Sequence, residues 1–210
     1  MASVRSRLAL ALVAGIASAM CGCSAKTPDR VAAPAIDPSA MAAKAMALYD
    51  TNKDGVLSGD ELNKCPAIKT SIKLFSSGDG KVTADSIAAE LQKMKDSKVG
   101  IMSLIANVKL DGAELEGAKV QLEPEPFMAG AISSASGMTN AKGSASLVID
   151  SQGGGPRGAN PGLYKVRITK QVNGHEIISA RYNTDTELGI DVAQDNLDLM
   201  SQLRFDLKSR

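Results

Sequence analysis

Residues 50–61 read DTNKDGVLSGDE. Asp50, Asn52 and Asp54 alternate with Thr51 and Lys53, Gly55 follows, and Ser58 and Glu61 complete the stretch. Short acids and amides at alternate positions of a tightly turning backbone aim their oxygens at one centre, which is chemistry for a hard cation. A shell of six to eight oxygens at about 2.3–2.6 Å suits Ca²⁺. Mg²⁺ requires a tighter octahedron and gives up water reluctantly. Gly55 supplies the sharp turn, Val56 needs only its carbonyl, and Ser58 ligates directly or through water. Glu61 closes the shell with both oxygens. Without a cation, Asp50, Asp54 and Glu61 repel one another.

These residues occupy positions 1, 3, 5, 6, 7, 9 and 12 of a twelve-residue loop, and the segment resembles an EF-hand. The resemblance covers Met41 to about Lys95. It implies calcium as the cofactor, held by Asp50, Asn52, Asp54, Val56, Ser58 and Glu61. Residues 75–87, FSSGDGKVTADSI, resemble a degenerate partner hand. Asp79-Gly80 stands at positions 5 and 6, Val82 at 8 and Thr83 at 9, but no acid stands at position 1 and Ser86 replaces the closing glutamate. The expectation is a short strand contact of Leu57 with Val82 and little or no calcium in the second loop. Exported EF-hands are usually weak, about 10⁻⁴–10⁻³ M, so a permanently filled site acts as a structural clip. At 100-fold excess of ion over the dissociation constant, such a clip adds about 2.7 kcal/mol to the folded state.

The remaining chemistry is sparse. The one histidine, His175, follows Asn173-Gly174 and reads as a solvated hairpin residue rather than a general base. Gly153 to Gly158 lacks the Gly-Lys-Ser/Thr ending of a phosphate cradle and reads as a mobile surface loop. Glu123 and Glu125, split by proline, read as a solvated strand end. Cys65 reads as a small buried apolar residue. With three Tyr, three Phe, no Trp and a net charge of +1, the chain has neither stacking platforms nor basic excess for nucleic acid.

The elements that position the loop follow from apolar periodicity. Met1 to Arg7 carries two arginines and Leu8 to Ala19 is apolar, the pattern of an export leader and too short to span a bilayer. Met20-Cys21-Gly22-Cys23-Ser24 resembles a bacterial lipoprotein box, with Cys23 as the lipidated residue because small Gly22 precedes it. Residues 1–22 are then a signal peptide and 23–36 a lipid-anchored flexible linker. Loss of Arg5 and Arg7 with the leader turns the net charge slightly negative. Residues 37–97 have helical periodicity, with Met41, Ala45, Leu48 and Tyr49 on one face and Ile87, Leu91 and Met94 on another. Ser39 and Thr83 are the expected N-caps.

From residue 98 to 210 the period becomes 2. Ala118, Val120 and Leu122 alternate with polar residues, as do Tyr164, Val166 and Ile168. Leu188, Ile190 and Val192 share a face, and so do Leu199, Leu203, Phe205 and Leu207. Val108 to Leu122, Thr139 to Gly143 and Pro161 to Val166 resemble the carboxypeptidase regulatory-like, transthyretin-like family, which implies an antiparallel β-sandwich without catalytic residues. The expected fold is therefore multidomain: a small all-α EF-hand pair followed by an all-β sandwich. The expected function is a calcium-binding, non-enzymatic exported lipoprotein at the periplasmic side or cell surface. It would meet the membrane through its lipid alone, contact an envelope protein and bind no nucleic acid. Two alternatives are a calcium-dependent adhesion or assembly module and a hydrolase using His175.

Overall fold

The change of apolar period near residue 98 marks a change from helix to strand in the computed structural model, which describes residues 31–152, 154–196 and 203–209. The leader, Cys23 and Leu199 lie outside these residues. The front of the chain runs α1 (Pro38–Tyr49), β1 (Val56–Leu57), α2 (Gly59–Asn63), α3 (Pro66–Thr70), α4 (Ile72–Phe75), β2 (Val82–Thr83) and α5 (Ala84–Ser97). Asp37, not Ser39, caps α1. Its carboxylate accepts the Ala40 N–H at 3.1 Å, and Pro38 takes the first helical position, where a missing N–H costs nothing. Thr83 caps α5 as expected. Ile87, Leu91 and Met94 are buried, but α1 buries Ala42, Ala45 and Tyr49 and leaves Leu48 45% exposed. α1 packs against α5, and its buried side is the one that carries Ala42, Ala45 and Tyr49, with Leu48 turned outward.

The back of the chain is largely β. It comprises β3 (Ile105–Leu110), β4 (Ala113–Glu114), β5 (Lys119–Pro124), β6 (Ala135–Met138), β7 (Ser144–Ser146), β8 (Val148–Ile149) and β9 (Gly162–Thr169). The hairpin β10 (Gln171–Val172) and β11 (His175–Glu176) follows, then β12 (Gly189–Val192) and β13 (Leu203–Leu207). One sheet has the order β12-β9-β5-β6-β8 and is antiparallel throughout. In the second, β3 pairs antiparallel with β4 and β7 but parallel with β13, which departs from the expected all-antiparallel arrangement. The expected inward residues of β5 and β9 are all fully buried. Leu203, Phe205 and Leu207 face the core, between exposed Arg204 and Asp206.

β12 departs from one-sided burial: Gly189, Ile190, Asp191 and Val192 are all buried. The helical half explains this, because α3 lies across the strand's outer face. A Cβ on Gly189 would stand 2.1 Å from the Pro66 carbonyl carbon, so only glycine admits this approach. The buried side chains of helices and sheets accordingly form one continuous cluster. That cluster reaches back into the expected linker. Ile36 is buried within it, and the Val31 backbone runs so close to Gly100 that a Cβ there would meet the Val31 carbonyl oxygen at 2.0 Å. Pro156 and Gly158, expected to be part of a mobile loop, are tied by backbone hydrogen bonds to Ile149 and Leu147, and the next residue, Ala159, is tied to Met102. Among the described residues, no helix is long and apolar enough to cross a membrane.

Candidate metal centre

The loop between α1 and α2 is drawn closed by its own side chains. Asp50 Oδ2 accepts the Gly55 N–H at 3.1 Å, Asn52 Oδ1 that of Asp54 at 2.9 Å, and Asp54 Oδ1 that of Val56 at 3.0 Å. Each bond turns the backbone around a common centre, and Gly55, at φ +84°, takes the left-handed conformation that the turn requires. One ligand oxygen from each of Asp50, Asp54 and Glu61 lies within 4.8 Å of the others. Asn52 sits beside them, its Nδ2 donating to Asp54 Oδ2 at 3.0 Å. Val56 and Ser58 flank the start and end of β1. Val56 pairs with Thr83 and Leu57 with Val82, the contact expected from the sequence.

Glu61 is the best-held of the three acids. Its Oε1 accepts the N–H groups of Thr51 at 2.8 Å and Asn52 at 3.2 Å and the Thr51 hydroxyl at 3.1 Å. Its Oε2 accepts the Ser58 N–H at 3.3 Å. Desolvation works to raise its carboxyl pKa, but these donors outweigh it and hold the group below its usual range. Glu61 is thus ionised and joins the two ends of the loop. Asp50 Oδ1 is different. It is buried and has no hydrogen-bond partner among the described residues, which leaves an unmatched acceptor on a side chain of the acidic cluster. An all-oxygen donor set with one buried orphan fits a hard divalent cation.

The second loop has closed on itself. Asp79 Oδ1 accepts the Lys81 N–H at 3.0 Å and the Ser76 hydroxyl at 2.9 Å, and this pulls the Asp79 carboxyl below its ordinary range. Ser86 is engaged in capping: its hydroxyl accepts the Thr83 N–H and donates to the Thr83 carbonyl.

One important residue was misread from sequence. Glu125 is fully buried, not a solvated strand end. Its Oε2 accepts the Tyr49 hydroxyl at 3.1 Å and its Oε1 the Ala67 N–H at 3.2 Å, while Lys165 Nζ stands 3.9 Å away. Tyr49 is the residue before Asp50, and Ala67 lies in the helix that follows α2, so one carboxyl of the β half grips the chain on both sides of the acidic loop. Burial raises the Glu125 carboxyl pKa, against the pull of Lys165 and of the Ala67, Tyr49 and Cys65 donors. Burial and then Glu125 push the Tyr49 hydroxyl up, and burial does the same to the Cys65 thiol. Glu123 instead pairs with Arg167 at 2.6 Å. His175 is exposed on β11, opposite Val172.

Set beside known proteins, the chain matches no family model, no curated protein and no solved structure.

Proposed function

We propose that this protein is a calcium-binding, non-enzymatic exported lipoprotein, anchored through Cys23. In this reading an EF-hand-like pair holds one ion, and a transthyretin-like β-sandwich serves spacing or protein contact at the cell envelope. The observation that carries the reading is the convergence of ligand oxygens of Asp50, Asp54 and Glu61, with Asp50 Oδ1 buried and without a hydrogen-bond partner among the described residues. Asp50, Asn52, Asp54, Ser58 and Glu61, with the Val56 carbonyl, would hold the ion, which when bound supplies the positive charge the loop lacks. The chain's own residues do the rest. Leu57 and Val82 fix the exit of the loop against its degenerate neighbour, and Glu125 fixes the helix ends that bracket it.

A clip of this kind raises stability without changing what the protein does. At 100-fold excess of calcium over the dissociation constant the gain is about 2.7 kcal/mol. For a chain of this size, about 2–4 °C per kcal/mol turns that into a rise in melting temperature of roughly 5–11 °C. Melting in CaCl₂ against EDTA tests it. The shift of a D50A/E61A variant should be smaller than wild type by about that amount; equal shifts in the two proteins would remove the loop from the account.

A further inference from the structure

Asp191, in β12, is fully buried, and neither of its side-chain oxygens has a hydrogen-bond partner among the described residues. The strand's two-residue alternation places it on the same face as Gly189. That face meets α3, since a Cβ on Gly189 would stand 2.1 Å from the Pro66 carbonyl carbon and 2.2 Å from the Ala67 nitrogen. Across the sheet, Asp191 is in register with Leu163 of β9, which is fully buried as well. The carboxyl therefore lies in the seam between the helical half and the sheet. α3 buries Pro66, Ala67 and Ile68 there and leaves its one charged residue, Lys69, exposed. On β9, Lys165 shares the face, in register with Gly189, but its ammonium lies 3.9 Å from Glu125. On α5, Lys93 stands 2.7 Å from Glu90 and 3.5 Å from Asp195, which follows β12. None of these ammonium groups makes an ion pair with Asp191.

An isolated carboxylate taken out of water costs far more than the neutral acid, so a buried group without a partner takes up a proton instead. Burial first, and then Glu90 and Asp195, push the Asp191 carboxyl well above its ordinary range, and the pull of Lys93 offsets this only in part. We infer that Asp191 is a proton-operated latch on the seam between α3 and β12, closed while the acid is neutral and loosened when it ionises. Gly189 lets α3 approach the strand to backbone contact, and the neutral acid two residues on lets that contact stay dry. Ionised, the same group requires water, and α3, a helix of only five residues, is the cover that gives way. Cys65, fully buried at the N-terminal end of α3, is uncovered by that motion. The latch uses no atom of the acidic loop and does not depend on a metal there.

The test compares the full chain with Asp191→Asn, which is isosteric and neutral at every pH, in urea unfolding with EDTA present. A raised folded pKa gives stability that is fully present below the ordinary 3.8 and is lost as pH rises through the folded value. From about pH 4 upward, the folding constant of wild type relative to the variant should therefore fall, by up to about tenfold per pH unit, until the folded pKa is passed. Glu125 and Cys65 titrate in both proteins and cancel from the ratio. Iodoacetamide labelling of Cys65, located by peptide mass, should accelerate with pH more steeply in wild type than in Asp191→Asn. A flat ratio of folding constants overturns the proposal, and so does Cys65 labelling that is equal in the two proteins at every pH. The carboxyl-carbon NMR signal of Asp191 in wild type decides the matter without a variant. It should keep the position of a neutral acid above about pH 5, and titration near 3.8 would end the proposal.

Discussion

Replacing Glu125 by alanine should damage the protein far beyond the loss of one surface acid. The side chain has no exposure and holds three groups: the Tyr49 hydroxyl at 3.1 Å, the Ala67 N–H at 3.2 Å and, more loosely, Lys165 at 3.9 Å. Its removal strands two donors in a dry interior, each at about 1–3 kcal/mol. The expected loss in urea unfolding is therefore about 2–6 kcal/mol, with Glu125→Gln losing less because it keeps the volume and one acceptor oxygen. Because Tyr49 abuts Asp50, calcium affinity should fall as well, and each tenfold weakening corresponds to about 1.4 kcal/mol. A Glu125→Ala protein within about 1 kcal/mol of wild type would refute the reasoning, since it would mean that neither donor depends on this carboxyl.

Glu125 also predicts a pH dependence. Its folded pKa is raised above the ordinary 4.5, so its contribution is fully present below that value and is lost as pH rises through the folded pKa. The melting temperature of wild type relative to Glu125→Gln should thus decline as pH climbs from 4.5 in EDTA; a rising difference would reverse the sign and the argument. Gly189→Ala should cost about 1–3 kcal/mol or more in urea unfolding, because the new methyl meets the Pro66 backbone at 2.1 Å rather than a movable side chain. On the proposed lipoprotein reading, Cys23→Ser should move the protein from the membrane fraction to the soluble fraction; unchanged fractionation would exclude Cys23 as the anchor.

What the sequence revealed was what is local. The clustering of Asp50, Asp54 and Glu61 is set by one turning loop, and the Leu57–Val82 register and the Thr83 cap follow from short-range rules, so these were legible. Glu125 was not. Its Glu-Pro-Glu-Pro context reads as polar, and its burial depends on Tyr49, 76 positions away. Asp191 escaped for the same reason. The alternation of Ile190 and Val192 identified the inner face of β12, but only the docking of α3 reveals that the outer face is buried too. Leu48 misled because α1 packs on a face made by Ala42, Ala45 and Tyr49, which leaves its leucine outward. The parallel pairing of β13 with β3 leaves no mark in a two-residue period, which is the same for either direction.

The account rests on one ion in one loop, and a high-resolution electron-density map from crystals grown in millimolar CaCl₂ tests this most directly. It should show a peak, with the anomalous signal of calcium, about 2.3–2.6 Å from carboxylate oxygens of Asp50, Asp54 and Glu61 and from the Val56 carbonyl. A loop that holds only water, with Glu61 still bonded to the Thr51 and Asn52 N–H groups, would contradict it.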